Sequence, residues 1–123
     1  MRDIRRSVLF YEKLGFRNVM EAGFEIEMRP GTCIMMERAS VLIELYELPE
    51  PERSDAARRN DGHIDHIAFD VDDIDYCFQV LKDAGFTVLE PAPVFLRFWK
   101  SGCKYFNITG PDGERLEFNQ IIP

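Results

Sequence analysis

Apolar residues recur at helical spacing in two places along the chain. Ile4, Val8 and Tyr11 form one such stripe, and Ile74, Phe78 and Leu81 form the other. Asp3 and Asp73 precede these stripes and can cap a first turn. Gly15 and Gly85 follow them, where a helix C-terminus favours glycine. The two segments align without a gap, Asp3 to Phe16 against Asp73 to Phe86, every pair 70 positions apart. Asp, Ile, Gly and Phe are identical across the pair, and each segment runs on into an extended stretch, 16–20 and 86–90. A period this long does not suit a solenoid, so the chain reads as two copies of one supersecondary unit.

Strand patterns fill the rest of each copy. In the first, 32–37 and 41–47 are short apolar runs bounded by Pro30-Gly31 and Leu48-Pro49. In the second, 104–109 and 114–119 flank the turn Gly110-Pro111-Asp112-Gly113. A further strand, 63–71, stands just before the second helix. The segment 49–61, rich in Pro, Glu, Arg and Ala, reads as the connector, and its Ala56-Ala57-Arg58-Arg59 stretch can add a helical turn. The second copy is therefore strand-helix-strand-strand-strand. In the first copy the counterpart of His66 would fall at position −4, and Met1 aligns with Val71, the last residue of that strand. The first copy is expected to lack its opening strand, which leaves 41–47 as an edge with unpaired backbone groups. The abrupt stop in an otherwise intact repeat favours a start assigned too late over a truncated gene or a strand supplied by another chain.

At 123 residues the chain suits one domain that buries about two thirds of its unfolded surface. With 46% hydrophobic and 30% charged residues it is globular and not disordered. The net charge of −7 repels phosphate and argues against nucleic acid as a partner, though solubility alone accounts for many acidic surfaces. Cys33, Cys77 and Cys103 are odd in number and form no CxxC pair, which points to reduced thiols in a cytoplasm. No apolar run approaches the ~20 residues of a membrane span, and the N-terminus carries no signal-like segment.

The segments DIRRSVLFYEKLGF at 3–16, VLIELYE at 41–47, HIDHIAFDVDDID at 63–75 and GPDGERLEFNQ at 110–120, in that order, resemble the vicinal oxygen chelate superfamily. That superfamily includes glyoxalases, bleomycin-resistance proteins and ring-cleaving dioxygenases, and the chain is most similar to its glyoxalase-like members. The resemblance implies an α+β fold: two βαβββ modules forming a curved mixed sheet, the first strand of module one being absent. It divides a single domain, 1–123, into module one at 1–48, a connector at 49–61 and module two at 62–123. It also implies metal ligands on the first and last strands of each module. Carried over, these are Glu44, His66 and Glu117, with no counterpart for the remaining ligand.

Strand alternation agrees with that assignment. Ile67, Phe69 and Val71 share one face, expected to pack under the helix, and His66 lies opposite. Leu116 and Phe118 share a core face, as do Ile43 and Leu45, leaving Glu117 and Glu44 on the other side. A lone Glu on a strand is ordinarily a solvated residue, and His63 competes with His66; the joint match of three positions favours the metal reading. An imidazole with two carboxylates suits a divalent ion such as Ni, Zn, Co, Mn or Fe without choosing among them. The resemblance to glyoxalase makes Glu117 and Glu44 candidates for proton exchange with a small-molecule substrate carrying vicinal oxygens, and makes a homodimer the expected assembly. A metal-free drug-binding protein like the bleomycin-resistance proteins, and a fosfomycin-resistance-like enzyme, are the alternatives. A ring-cleaving dioxygenase fits less well, because such enzymes usually need a second ligand histidine and the remaining ligand position has no counterpart in this sequence. Phe95-Leu96-Arg97-Phe98-Trp99 reads equally as core, pocket lid or dimer contact, and Met35-Met36 as core filling.

Overall fold

The computed structural model describes residues 1–59, 64–111 and 113–123. His63, the start of the expected 63–71 strand, the end of the connector and Asp112 of the expected turn lie outside the described residues. The chain divides into two compact units, Met1–His63 and Ile64–Pro123.

The first unit opens with helix α1 (Ile4–Lys13). The Asp3 carboxylate accepts from the backbone N–H groups of Arg5 and Arg6, which satisfies two donors with no partner inside the helix. At the other end Gly15 adopts a φ of 91°. The Phe16 amide then reaches back to the Tyr11 carbonyl at 3.1 Å, closing the helix in a Schellman-type turn. Three antiparallel strands follow, β1 (Arg17–Ile26), β2 (Arg29–Arg38) and β3 (Val41–Glu47), in the order β1-β2-β3. Ile4 and Val8 of α1 pack on Ile34 and Met36 of β2 and Leu45 of β3, with Met1, Tyr11, Phe16 and Ile43 around them. A short helix α2 (Glu52–Ala57) lies in the connector, where Arg29 pairs with Glu52 at 2.6 Å. The helical turn expected at Ala56–Arg59 starts earlier, because Glu52 and Asp55 favour a helix N-terminus.

The second unit repeats this plan. Strand β4 (Ile67–Asp70) leads into helix α3 (Ile74–Asp83), then β5 (Val94–Leu96), β6 (Cys103–Thr109) and β7 (Arg115–Ile121). Its sheet is mixed, in the order β4-β7-β6-β5, with β4 parallel to β7 and the other pairs antiparallel. Asp73 caps α3 through the Tyr76 amide, Gly85 has a φ of 87°, and the Phe86 amide returns to the Leu81 carbonyl at 3.1 Å. Every one of these groups lies 70 positions from its counterpart in the first unit. Ile74 and Phe78 pack on Phe106 and Ile108 of β6, with Val71, Leu81, Leu116 and Phe118 around them.

The repeat extends to bonds that no hydrophobic pattern reveals. The Ile4 amide donates to the Glu47 carboxylate at 2.8 Å, and the Ile74 amide to the Gln120 side-chain oxygen at 3.0 Å. Each helix start is thereby latched to the end of its unit's last strand. The Met1 amine donates to the Tyr46 carbonyl as the Val71 amide donates to that of Asn119, which bears out the alignment of Met1 with Val71.

Three expectations need correction. Pro30-Gly31 does not bound β2: the chain turns at Glu27-Met28, two non-glycine residues with φ of 49° and 64°. Pro30 is tolerated inside β2 because β3 ends opposite Thr32, so Pro30 has a strand on one side only. The extended segment 86–90 forms only an isolated bridge, Val88 to Ile108, and the strand lies later, at β5. Finally, β4 is not sealed under a helix. Val71 packs at the core and Phe69 stacks on Phe118, yet Ile67 is 57% exposed and Phe69 48% exposed. The reason is position: β4 is a short edge strand, and α3 lies over β6 and β7.

Candidate metal centre

Parallel pairing of β4 with β7 sets Ile67 beside Leu116 and Ala68 beside Glu117. His66 precedes β4 and shares a face with Ala68, so its ring falls between Arg115 and Glu117, which alternate onto that face of β7. The imidazole Nε2 lies 2.9 Å from Glu117 Oε2, and both side chains are largely buried. Its Nδ1 lies 2.8 Å from Asp65 Oδ1 and 3.3 Å from Arg115 Nη2. Arg115 also forms an ion pair with Asp65. An imidazole with a carboxylate oxygen at each nitrogen satisfies both only when both nitrogens carry protons, or when a cation replaces the Nε2 proton. A nitrogen donor facing a carboxylate oxygen in this way is a donor set that a divalent ion accepts.

More polar groups line the same face of the second unit. Asn107 stands opposite Glu117 and Tyr105 opposite Asn119 across the β6–β7 ladder. Asn119 Nδ2 approaches Glu117 Oε1 at 3.4 Å. Glu90 accepts from the Asn107 amide at 2.6 Å and from Asn107 Nδ2 at 2.7 Å. Those contacts orient the carboxamide and leave the buried Asn107 Oδ1 without a hydrogen-bond partner among the described residues. Burial, and then the charges of Glu90 and Glu117, push the Tyr105 phenol above its ordinary range, so it stays protonated and able to donate at neutral pH.

Glu44 sits in β3 of the first unit, opposite Met35, as Glu117 sits opposite Asn107 in the second. Its neighbour Leu45 is buried in the helix-packed core, so Glu44 projects from the other face, as alternation predicts. The structure thus brings His66 and Glu117 together and places Glu44 at the corresponding strand position of its own unit. Asp65, Glu90, Tyr105 and Asn107 were not singled out from sequence. For Arg115 the alternation pattern does carry a signal, since it shares a face with Glu117; the parallel pairing that brings it to His66 is not legible there.

Residues 1–118 match the model of the glyoxalase/bleomycin resistance protein/dioxygenase superfamily. The chain belongs to that superfamily. Its fold is similar to that of a hypothetical protein from Bacillus halodurans C-125, with 20% identity, TM-score 0.74, and coverage of 100% of this chain and 89% of the other. Methylmalonyl-CoA epimerase from Mycobacterium tuberculosis is similar at 17% identity and TM-score 0.73, over 98% of this chain and 82% of that one. A mutant 4-hydroxymandelate synthase from Streptomyces coelicolor shares 19% identity at TM-score 0.72, over 94% of this chain but 44% of its own. At these identities the likeness is one of fold. No curated protein sequence matches the chain. The βαβββ order of the second unit, and the helix and three strands of the first, are the superfamily's α+β architecture. Superfamily members bind small-molecule substrates, often with a divalent metal. Among the described residues, no helix is long and apolar enough to cross a membrane.

Proposed function

We propose that this superfamily member is a metal-dependent enzyme of glyoxalase type, a lyase or isomerase acting on a small substrate with two adjacent oxygens. Its ligand set is Glu44, His66 and Glu117, and it works as a cytoplasmic homodimer. The observation that carries the reading is the His66–Glu117 contact at 2.9 Å, with the far ring nitrogen already held by Asp65. Glu44 joins the set because it holds in module one the strand position that Glu117 holds in module two. A divalent metal bound there polarises a carbonyl and stabilises negative charge on a neighbouring oxygen.

The chain's own groups supply the rest. Glu117 and Glu44 carry the proton between the substrate carbon and its oxygen. The Tyr105 phenol, kept protonated by burial beside Glu90 and Glu117, donates to a substrate oxygen. Asn107 Oδ1, an acceptor with no donor among the described residues, suits a substrate hydroxyl. The fold likeness to an epimerase directs the first screens to epimerase and glyoxalase substrates.

The test is a metal count by elemental analysis on the purified chain, the parent beside His66→Ala and Glu117→Ala. Near-stoichiometric metal in the parent and its loss in both variants is expected. No metal in the parent after supplying Ni, Zn, Co, Mn and Fe overturns the reading and favours a metal-free drug-binding protein like the bleomycin-resistance members.

A further inference from the structure

Residues 87–89 run antiparallel beside β6. The Thr109 amide donates to the Thr87 carbonyl at 3.1 Å and the Leu89 amide to the Asn107 carbonyl at 2.9 Å, either side of the Val88–Ile108 bridge. In a regular antiparallel ladder the Asn107 amide would return its bond to the Leu89 carbonyl. It donates instead to Glu90 Oε2 at 2.6 Å, while Glu90 Oε1 accepts from Asn107 Nδ2 at 2.7 Å. One carboxylate thus grips both the backbone and the side chain of Asn107. A carboxylate only accepts, and a carboxamide has one donor end and one acceptor end. The reversed carboxamide would set two acceptors against each other at that distance, so Nδ2 faces Glu90 and Oδ1 is turned away from it. Asn107 is 6% exposed, and its Oδ1 has no hydrogen-bond partner among the described residues. Phe106 and Ile108 pack on the α3 side of β6, so Asn107 projects from the other face, with Glu117 opposite it.

We propose that Glu90 is a positioning residue that fixes the polarity of the Asn107 carboxamide, so that the site takes substrates presenting a hydroxyl to Oδ1 in preference to their keto counterparts. The substrate preference rests on the proposed function; the orientation of Asn107 does not. Leaving a buried acceptor unpaired costs more than a hydrogen bond to it gains, so such a group discriminates between a ligand that donates and one that only accepts. A keto oxygen would meet Oδ1 as a second acceptor, whereas a hydroxyl supplies the missing donor. The substrate's two adjacent oxygens therefore include a hydroxyl. Glu90→Gln makes the argument reversible. The new side-chain oxygen stays on the Asn107 amide, a donor fixed in the backbone, and the new amino group faces the carboxamide. Asn107 then turns over, accepting through Oδ1 and presenting Nδ2 to the substrate, which reverses the preference.

Two measurements test this. In chelator-treated, isotope-labelled protein, nuclear Overhauser contacts of the Asn107 side-chain NH2 protons report which way the carboxamide faces. The parent is expected to show contacts to the Glu90 γ protons, and Glu90→Gln to lose them. Zinc-loaded protein is then titrated with lactate and with pyruvate, which differ in a hydroxyl against a keto oxygen. The ratio of the two affinities is compared between parent and variant, because the metal's own preference cancels in that comparison. The preference for lactate is expected to fall about 10-fold or more in Glu90→Gln. A parent carboxamide with no contact to Glu90, or one unmoved by Glu90→Gln, overturns the positioning. The parent measurement needs no variant, so it decides even where Glu90→Gln fails to fold. A reoriented carboxamide with an unchanged affinity ratio, or with neither probe bound, leaves Glu90 as a strand cap and overturns the substrate preference. A parent that binds no zinc but shows the expected contacts refutes the metal reading, and the substrate preference with it, while the positioning stands.

Discussion

Four aromatic rings run through the second unit in a chain of contacts. Phe69 on β4 stacks on Phe118 at 5.4 Å, Phe118 on Phe106 at 5.3 Å, and Phe106 meets Phe78 of α3 edge-on at 5.2 Å. The burial of the rings differs sharply along the chain: Phe106 is fully buried, whereas Phe69 is 48% exposed. Truncating Phe106 to Ala removes its whole transfer free energy, leaves a cavity lined by two rings, and should cost about 3–5 kcal/mol. Truncating Phe69 removes only half the burial and one stacked partner, or about 1–2 kcal/mol. Urea unfolding followed by circular dichroism reads the difference: with a slope of about 1–3 kcal/mol/M, Phe106→Ala should unfold at a urea concentration roughly 1–5 M lower than the parent. Phe69→Ala should fall clearly less. Equal losses for the two variants would refute the account of β4 as a strand open on its outer side. They would mean that Phe69 is covered as thoroughly as Phe106.

The Asp3 and Asp73 caps are equivalent by the repeat, so Asp3→Ala and Asp73→Ala should each cost about 1 kcal/mol in thermal unfolding; no loss in either would show that the Glu47 and Gln120 latches suffice to hold the helix starts. Hydrogen bonding to Arg29 lowers the Glu52 carboxyl from its ordinary 4.5 to about 2. A lowered carboxyl contributes stability that is complete above 4.5 and drains away as the pH falls toward 2. Melting temperatures from pH 7 to 2 should therefore drop less steeply in Arg29→Gln than in the parent across that window, and identical slopes would count against the pair.

The local elements were legible because their determinants are local. Asp3 and Asp73, the apolar stripes behind them, and Gly15 and Gly85 each act within one helix, and a repeat of two such units reads directly as paired modules. Alternation likewise separated Glu44, His66 and Glu117 from the core faces, because side-chain direction in a strand depends only on parity. Other features depend on residues far apart in sequence. A two-residue turn at Glu27-Met28 carries no glycine or asparagine to announce it; β1 and β2 impose it by pairing. The openness of β4 follows from where α3 comes to rest. At the site, His66 and Arg115 carry no sign of each other in the sequence, since β4 and β7 are parallel strands separated by α3, β5 and β6, with no turn between them to set their register. Residue types and periodicity thus determined which groups leave the core, while strand pairing decided which of them meet: Glu117 at one nitrogen of His66, and Asp65 with Arg115 at the other.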